Sequence, residues 1–600
     1  MNDAAIATGP SEGPVLGVAS SLSGRRWEWR RGEDRVAFGI SQKLEVPEIV
    51  GRLLAGRGVG IEAAADFLEP TLRALLPNPS TLIDMDVAAD RLAHAVAQSE
   101  TVAVFGDYDV DGACSSALMV SFLRALGCTV YFHVPDRMLE GYGPNEPALL
   151  ALVARGARLI VCVDCGTAAA ATLAAIAGQA DVVVLDHHKA EGPPPPILAT
   201  VNPNRLDCGS GLTALCAAGV AFMTAVATVR ALRRRGFFAQ RPEPDLLGLL
   251  DLVALATVCD VMPLTGVNRA LVCQGLKVMA RRSRVGIAAL LDVTQAREKL
   301  NAFTCGFALG PRINAGGRIS QADLGVRLLL SEDRVEALAL AERLDAVNRQ
   351  RQEVEAGILD AAMRSAEAQV AAGDAVVVVA GEAWHPGVVG IVAGRIKERL
   401  NRPACVAGIA DGLGKGSGRS VPGLDLGAAV IAARQAGILE TGGGHPMAAG
   451  FSLRAERVEA FRMFLNERLS AASALPGAAA LTVEATLAVQ GATTDVAQAL
   501  ERLAPFGAGN EEPTLVLHRA RVLRADRVGK DAGSVRMFVE GEGSGPRLKV
   551  MLFRAREGRL TDTLLGRGEG LPLHLAGHLR AEAWNGSTNP CFVVTDAALA

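Results

Sequence analysis

The sequence predicts an α/β protein with a parallel-sheet domain, a long helix leading to a second α/β domain, and a C-terminal β-barrel. Three apolar runs rich in β-branched residues, 101–105, 159–163 and 182–185, alternate with helical segments. Such runs are typical of parallel strands covered on both faces. Residues 331–368 repeat apolar side chains at helical spacing over a long stretch. After residue 480, short strand-like runs between Gly and Pro turns are typical of a small barrel.

The elements are expected in the following order. Residues 1–45 are rich in Gly and Ser and then dense in charge, which predicts a flexible arm. Residues 46–330 form the first domain, which starts with helices and continues as the parallel sheet with its crossover helices. These two segments precede the connector helix, for which Ser331 is the expected N-cap.

The second half of the chain begins with that connector helix over residues 331–368. Residues 369–470 open with the strand-like run AVVVV and form the second α/β domain. An Ala/Ser/Pro-rich break follows, and residues 480–600 form the barrel. At about 150 residues per domain, this division agrees with the three to five domains expected from the length.

Composition and charge exclude two classes of protein. Half of the 600 residues are hydrophobic and 21% are charged, so the chain can bury a large core. The net charge is −3, which excludes a uniformly basic nucleic-acid binder and a highly charged disordered chain. Aromatic residues make up only 4%, so we do not expect extensive platforms for stacking bases.

The sequence favours a cytoplasmic protein that does not associate with membranes. Its first residues lack the basic region of a secretory signal. The uncharged stretch 208–229 is rich in Ala, Gly, Ser and Thr, which favours a buried helix over a membrane span. The eleven cysteines have no regular spacing and are expected to be reduced. Cys162 and Cys165 form a Cys-x-x-Cys motif inside an apolar strand, so core packing is favoured over zinc or redox chemistry.

Acidic and imidazole side chains follow each of the three predicted strands. Ligands bind beyond the carboxyl ends of parallel strands, so we expect these side chains to converge. They are Asp107, Asp109 and Asp111 after the first strand, Asp164 after the second, and Asp186, His187 and His188 after the third.

Such a cluster predicts a divalent metal site. Several buried carboxylates repel one another strongly unless a cation lies between them. Carboxylates with one or two imidazoles favour Mn²⁺ or Mg²⁺ over structural zinc, and they suit a two-metal site. Taken alone, the DxDxDG motif is also compatible with a solvated turn. A calcium loop is excluded, because its twelfth position counted from Asp107 is Leu118, which has no ligand oxygen.

Nine motifs occur in one order along the chain. They are GDYDVDG at 106–112, GYG at 141–143, DHH at 186–188, VNP at 201–203, AGVAF at 218–222, TVCDVMPL at 257–264, GPRINAGGR at 310–318, GGGHPMAAG at 442–450 and PFGAGN at 505–510. This series resembles the DHH phosphoesterase superfamily and, within it, the bacterial RecJ family of single-strand-specific exonucleases. The resemblance covers residues 50–600 and implies a DHH domain, a DHHA1-like domain and an OB-like barrel.

The resemblance implies roles for the acidic cluster. His188 would contact the scissile phosphate or assist the leaving group, and Asp186 would orient a neighbouring histidine. A structural histidine is the alternative for His188. Asp260 only ends an apolar helix-like run, and the resemblance alone makes it a candidate ligand. The implied metal ligands are Asp107, Asp109, Asp111, Asp164, His187 and Asp260.

Substrate-binding residues are expected in two Gly-rich basic loops, residues 310–318 and 414–420, and near the GYG motif. Guanidinium groups and backbone amides in such loops can bind phosphates, although neither loop is a Walker A motif. Tyr142 and Trp384 are candidates for stacking on bases, with core packing as the alternative for Trp384. The tail from 513 to 560 carries 11 Lys or Arg and 5 Asp or Glu, which suits a strand-binding face of an OB-like barrel. The candidates are Arg137, Tyr142, Arg312, Asn314, Arg318, Ser417, Arg419, Ser420, Gly444 and His445.

The resemblance predicts a metal-dependent exonuclease that hydrolyses single-stranded DNA from the 5′ end, in recombination and repair. It also implies a single-strand-binding protein and a RecQ-type helicase as partners. One alternative is a DHH-type phosphodiesterase acting on short oligonucleotides or cyclic dinucleotides, although such enzymes usually lack the long chain and OB-like tail. Another is a non-catalytic single-strand DNA-binding scaffold, which would be expected to have lost acids that this chain retains.

Overall fold

The computed structural model describes residues 13–137, 139–296, 299–470, 480–529, 531–542, 545–584 and 586–600. The chain divides into two compact units. The first consists of residues up to 77, residues 261–274 and residues from 477 onward, and the second consists of residues 78–260 and 275–476. The first unit contains a closed barrel and the second contains a parallel sheet and a mixed sheet, so the predicted fold class is confirmed.

The first unit opens with a short strand and four helices. They are β1 (Trp27–Trp29), α1 (Asp34–Leu44), α2 (Glu48–Gly56), α3 (Ala64–Leu68) and α4 (Leu72–Leu75). Apolar side chains of α1 and α2, such as Ile40 and Leu53, are buried in the same core as the barrel strands.

The N-terminal segment corrects one prediction. Trp27 is fully buried, and its indole Nε1 donates a hydrogen bond to Asp596 Oδ2 at 3.0 Å. A flexible arm over residues 1–45 is therefore wrong for residues 13–45, because they bury apolar surface against the end of the chain. Residues 1–12 lie outside the described part of the structure.

The second unit begins with a parallel sheet and its helices. Five strands run in parallel in the order β3-β2-β4-β5-β6. The three predicted runs are β2, β4 and β5, and the structure adds β3 and β6, which are too short to stand out as apolar runs. The elements are α5 (Met85–Ala97), β2 (Val102–Gly106), α6 (Val110–Ala125), β3 (Val130–His133), α7 (Glu146–Ala154), β4 (Leu159–Val163), α8 (Ala170–Ala174), β5 (Asp181–Leu185), β6 (Ala199–Val201), α9 (Ala217–Arg234), α10 (Leu250–Cys259), α12 (Val285–Val293), α13 (Gly310–Ile319) and α14 (Leu324–Leu330). Helix α11 (Gly266–Ala280) is divided between the units, because its residues up to 274 belong to the first.

Helix α9 contains most of the uncharged stretch 208–229, and nearly all of its residues are buried. Within the described ranges, no helix combines the length and the apolar character that a membrane crossing requires. Cys162 and Cys165 are both buried, in agreement with core packing.

The connector is the 38-residue helix α15 (Arg334–Ala371), about 57 Å long at 1.5 Å per residue. Its N-cap is Asp333, whose carboxylate accepts hydrogen bonds from the amides of Val335 and Glu336. The predicted cap, Ser331, instead donates its hydroxyl to the Glu336 carboxylate. The prediction was wrong because Asp333, two residues later, has the better position to accept from the first-turn amides.

A mixed sheet follows the connector helix. Its order is β10-β11-β9-β8-β7, in which β7 and β8 are parallel and the other pairs are antiparallel. The elements are β7 (Val377–Glu382), α16 (Pro386–Leu400), β8 (Ala404–Ala410), β9 (Leu413–Arg419), α17 (Leu426–Gln435), β10 (Thr441–His445), β11 (Ala448–Arg454) and α18 (Val458–Ser470).

The C-terminal residues of the first unit form a closed barrel. Strand order is β14-β15-β16-β18-β17, and β17 pairs back with β14. Val535, Met537 and Val539 alternate into the core, as a barrel strand requires. The elements are β12 (Leu481–Val483), β13 (Ala485–Leu487), α19 (Thr494–Glu501), β14 (Leu515–Val528), β15 (Ser534–Glu540), β16 (Leu548–Leu552), α20 (Arg559–Leu565), β17 (Leu573–Trp584) and β18 (Ser587–Leu599).

We expect Trp27→Ala to destabilise the first unit by about 3–5 kcal/mol, because it removes a fully buried indole and leaves a cavity. Trp27→Phe should cost less, since it keeps most of the ring but removes the donor to Asp596. Urea unfolding measures the loss, and hydrogen exchange of barrel amides assigns the transition to this unit.

Phe38→Ala is the matched control, because Phe38 lies on α1 and is 58% exposed. It should change the free energy of unfolding by no more than about 0.5 kcal/mol. Equal effects of Trp27→Ala and Phe38→Ala would contradict the burial of the N-terminal segment.

Candidate active site

The first acidic loop joins β2 to α6. Asp109 caps α6, because its Oδ1 accepts a hydrogen bond from Gly112 N at 3.0 Å. A side chain at position 112 would place a Cβ 2.4 Å from the carbonyl oxygen of Asp107, so this tight turn requires glycine. The turn holds Asp107 and Asp109 at the carboxyl end of β2.

Asp111 is buried at the start of α6 and faces the N-terminus of α9. Its two carboxylate oxygens accept hydrogen bonds from Ala217 N at 2.6 Å and Ala218 N at 2.8 Å. Burial raises the pKa of Asp111, while His187 and these two amides act in the opposite direction. The carboxylate therefore joins the first acidic loop to the helix predicted from the uncharged stretch.

The DHH motif follows β5 and contains a tightly bonded Asp–His pair. Asp186 Oδ1 accepts from the amides of His187 and His188, and Oδ2 accepts from Thr167 N at 3.0 Å. His188 Nδ1 lies 2.8 Å from Asp186 Oδ1. Although burial opposes both shifts, this contact lowers the pKa of Asp186 and raises that of His188 to about 9. Asp186 is therefore placed to orient the His188 ring, and it favours the protonated form of that imidazole.

His187 lies at the centre of the carboxylates. Its Nε2 is 3.3 Å from Asp164 Oδ1, 3.4 Å from Asp260 Oδ2 and 3.7 Å from Asp111 Oδ2. The site contains three groups of three residues, and within each group the ligand atoms lie within 4.8 Å of one another. They are Asp107, Asp109 and Asp164; Asp111, His187 and Asp260; and Asp164, His187 and His188. All six predicted ligands thus converge.

Three of these carboxylates have oxygens that fit a cation. Asp107 Oδ1, Asp164 Oδ1 and Asp260 Oδ2 are buried and accept no hydrogen bond. Burial and neighbouring carboxylates raise the pKa of Asp107 to about 7, that of Asp260 to about 8, and that of Asp164 well above its usual range. Asp164 also adopts a positive φ of 60°, a conformation that costs a non-glycine residue energy and is common at functional sites. Oxygen donors left without protein partners are the environment that Mn²⁺ and Mg²⁺ prefer.

A basic cavity of about 180 Å³ lies in the same unit as the acidic cluster. Arg137, Arg318 and His385 line it. Burial and the neighbouring Arg137 lower the pKa of Arg318 to about 10, and the same two causes lower the pKa of Arg419. Asp136 also lines the cavity, but Arg137, Arg318 and Arg419 form no ion pair with a carboxylate among the described residues. Guanidinium groups that repel one another without an acidic partner suit an anionic ligand.

Arg419 and Ser417 extend from β9 beneath helix α16. Arg419 Nη1 donates to Ser417 Oγ at 2.9 Å. Both side chains approach Gly390 closely, since a Cβ there would lie 3.0 Å from Ser417 Oγ and 3.4 Å from Arg419 Nη2. The glycine leaves room for these side chains beside the helix.

Two predicted loops are regular elements instead. Residues 310–318 belong to α13, and residues 414–419 belong to β9. Arg312 donates to Asp345 at 2.8 Å and to the carbonyl of Ala308, just before α13. Ser420 is buried and donates its hydroxyl to the Leu424 carbonyl. Both side chains therefore have protein partners, and their substrate contacts stay predictions.

The other predicted binding residues are placed as follows. Tyr142 Oη lies 3.3 Å from His188 Nε2, so Tyr142 borders the acidic cluster. Gly444 and His445 are exposed on β10, and Asn314 lies on α13. Trp384 is only partly exposed and packs on an apolar cluster beside α16, which agrees with core packing.

Three family models match the chain. That of the DHH family, N-terminal domain, matches residues 101–257, that of the DHHA1 domain matches residues 373–471, and that of the RecJ OB domain matches residues 483–596. The single-stranded-DNA-specific exonuclease RecJ of Dickeya dadantii (strain 3937) is 40% identical over 537 residues, which is 87% of this chain and 90% of that protein. The chain belongs to the RecJ family.

Further comparisons agree with this assignment to the RecJ family. The RecJ of Escherichia coli (strain K12) is 38% identical over 524 residues, or 85% of this chain and 89% of that protein. The crystal structure of RecJ in complex with Mn²⁺ from Thermus thermophilus matches with a TM-score of 0.76 and 30% identity, over 94% of this chain and 78% of that one. The resemblance found in the sequence is confirmed.

Some RecJ-family motifs carry residues to which the sequence assigned no role. In the VNP motif, Asn202 Nδ2 donates to Thr167 Oγ1 and to the His188 carbonyl. Asn204, two residues later, donates to the His187 carbonyl. These amides hold the backbone of both histidines. His385, the N-cap of α16 and a wall of the basic cavity, also had no signal beyond its place before a helix.

We expect the metal-free protein to lose stability as the pH rises from 6 to 8. The raised pKa values of Asp107, about 7, and Asp260, about 8, mean that the folded state retains protons that the unfolded chain has released. His188, with a pKa near 9, acts in the same direction. The free energy of unfolding should fall by up to about 1.4 kcal/mol per pH unit for each retained proton. Thermal unfolding in EDTA measures this slope.

Saturating Mn²⁺ should raise the unfolding temperature most at pH 8, because a cation favours the ionised carboxylates and offsets their repulsion. Titration with Mn²⁺ in weak buffer at pH 7 should release protons. A stabilisation by Mn²⁺ that is largest at pH 6, or one without proton release, would refute this account.

Proposed function

We propose that this protein is a metal-dependent exonuclease that hydrolyses the phosphodiester bonds of single-stranded DNA. The observation that carries the proposal is the cluster of buried carboxylate oxygens without hydrogen-bond donors around His187. The curated relatives, which are named single-stranded-DNA-specific exonucleases, and the RecJ structures in complex with Mn²⁺ and Mg²⁺ support it.

The cluster would hold two divalent cations, Mn²⁺ or Mg²⁺. One would be held by the group of Asp107, Asp109 and Asp164, and the other by the group of Asp111, His187 and Asp260. Such ions supply Lewis-acid stabilisation of the charge that develops on the scissile phosphate. Asp111 can contribute while it accepts its two amides, since a carboxylate oxygen has a second lone pair.

His188 is the group of the chain that we assign to the phosphate or the leaving group. Its Nδ1 is bound to Asp186, and the proton on Nε2 faces Tyr142 Oη at 3.3 Å on the border of the acidic cluster. A pKa of about 9 keeps this proton in place at neutral pH. His188 can therefore donate a hydrogen bond to a phosphate oxygen or a proton to a leaving oxygen.

The basic cavity supports action at a strand end. A terminal phosphate carries close to two negative charges at neutral pH, whereas an internal diester carries one. Arg137 and Arg318, which line the cavity and form no ion pair among the described residues, suit the more highly charged terminal group. We assign this cavity to a 5′-phosphate, which makes the enzyme act 5′→3′.

The cellular assignments rest on family resemblance alone. They are a cytoplasmic role in recombination and repair, and partnership with a single-strand-binding protein and a RecQ-type helicase. Net charge and composition are compatible with each of them.

Asp164→Asn is expected to lower kcat/KM for a 5′-phosphorylated single strand by at least about a hundredfold in Mn²⁺. Asn tolerates the positive φ of this position, so the loss reports the carboxylate rather than the backbone. The measurement is release of the labelled 5′ nucleotide. Asp207→Asn is the control, since the Asp207 side chain is 54% exposed and its ion-pair partner among the described residues is Arg205, outside the acidic cluster.

The same assay separates the alternatives. Wild-type hydrolysis confined to dinucleotides would favour the phosphodiesterase, and single-strand binding without hydrolysis would favour the scaffold. Cleavage of duplex at the same rate as single strands would contradict the proposed specificity.

Arg318→Gln is expected to raise KM for a 5′-phosphorylated strand roughly thirtyfold, because a lost hydrogen bond to a charged group costs about 2 kcal/mol. The KM for a 5′-hydroxyl strand should change little. Steady-state kinetics on both strands measure the split, with the half-exposed Arg395→Gln as control. Equal losses on both strands would contradict the assignment of the cavity to a terminal phosphate.

A further inference from the structure

Two phenylalanine rings form an exposed stack just before α13. Phe303 is 64% exposed and Phe307 is 68% exposed. Their ring centroids are 4.7 Å apart and the ring planes differ by 22°. Burying these two rings would gain transfer free energy that exposure to water forgoes. An exposed aromatic pair therefore indicates a surface that contacts a ligand or a partner.

The backbone beneath the rings is held firmly. Residues Thr304–Leu309 form a π-helical turn, a geometry that is frequent at functional sites. Thr304 and Cys305 between the rings are buried, and the turn begins with hydrogen bonds between Asn301 and Thr304. The two rings are therefore presented to solvent by a preorganised turn.

The turn is packed against the end of α10, which carries a candidate metal ligand. Cys259 Sγ donates to the Cys305 carbonyl at 3.4 Å, and Cys259 immediately precedes Asp260. A Cβ at Gly310 would lie 2.4 Å from Cys259 Sγ, so the glycine allows the backbone after the turn to pack closely against Cys259. The aromatic pair thus stands on backbone that is fixed to the acidic cluster.

The surrounding sequence is basic. Residues 281–318 contain seven Lys or Arg and two Asp or Glu. Arg282, Arg284 and Arg312 of this stretch are paired with carboxylates, so the occupant is indicated by the stacked rings fixed beside the acidic cluster rather than by charge. A strand of nucleic acid supplies both negative charge and flat π faces, and stacking on an aromatic ring tolerates any base.

We propose that Phe303 and Phe307 form a stacking site for a base of the single strand held at the active site. This inference rests on the proposed function. The site fixes the position of one nucleotide relative to the acidic cluster without reading its identity. A protein partner docking on the same rings is the competing occupant.

The test uses strands in which one nucleotide is abasic, scanned along the sequence from the 5′ end. The measurement is kcat/KM for release of the labelled first nucleotide in Mn²⁺. In the wild type, one abasic position should lower kcat/KM about tenfold. The Phe303→Ala/Phe307→Ala variant should lose about tenfold on the intact strand and show no further loss at that position.

Two further variants sharpen the result. Phe303→Leu/Phe307→Leu keeps apolar area but removes the π faces, so it should behave like the Ala variant. Phe38→Ala is the matched control, because Phe38 is similarly exposed on α1, and it should leave the abasic profile unchanged.

Each outcome decides the matter. A Phe303→Ala/Phe307→Ala variant with the wild-type rate and the wild-type abasic profile would overturn the stacking site, and would leave a protein partner as the occupant, while the proposed function stands. Wild-type behaviour of the Leu variant would show a general apolar contact and would also overturn it. A wild-type protein that cleaves no single strand would overturn both this inference and the proposed function.

Discussion

The mutual repulsion of buried carboxylates is the constraint on which the second unit depends. Parallel strands bring their carboxyl ends to one edge of the sheet, so acids from separate loops converge there. The protein treats them in two ways. Asp111 and Asp186 accept hydrogen bonds from amide and imidazole donors, whereas Asp107, Asp164 and Asp260 each keep an oxygen that accepts no hydrogen bond. The hydrogen-bonded carboxylates fix the positions of neighbouring loops, and the oxygens without donors favour the binding of a cation.

A complementary imbalance exists on the basic side of the same unit. Burial and the charge of Arg137 lower the pKa of Arg318 and Arg419, and none of these three guanidinium groups forms an ion pair among the described residues. A phosphodiester chain with a terminal phosphate satisfies both imbalances, because its charge is attracted by the guanidinium groups and by cations bound to the acids. The net charge of −3 is therefore the sum of an acidic cluster and a basic region. The proposed substrate can interact with both, through bound cations at the first and directly at the second.

The sequence predicted the acidic cluster well because its spacing is local to three strand ends and the strands are apolar throughout. The predictions from sequence failed where a residue's partner is distant along the chain, and where a glycine permits close helix packing instead of a loop. Trp27 binds Asp596, 569 residues away, and nothing in the surrounding charged run indicates burial. GPRINAGGR was interpreted as a loop because of its glycines, but it is helical. A Cβ at Gly317 would lie 2.5 Å from the Tyr108 carbonyl, so this glycine permits close packing on the acidic loop.

The barrel shows that a sequence domain and a folding unit can differ. The RecJ OB domain model covers residues 483–596, yet the barrel core also contains Ile40 and Leu53 of α1 and α2. Arg57 of the N-terminal segment pairs with Glu484 at 3.0 Å, and both side chains are almost fully buried. Removing the barrel would expose this apolar surface and leave a buried guanidinium without its carboxylate, which costs several kcal/mol. Loss of activity after such a truncation would therefore report unfolding as much as lost strand binding. Substitution of exposed basic side chains on the barrel, which leaves the shared core intact, is the change that isolates its contribution to strand binding.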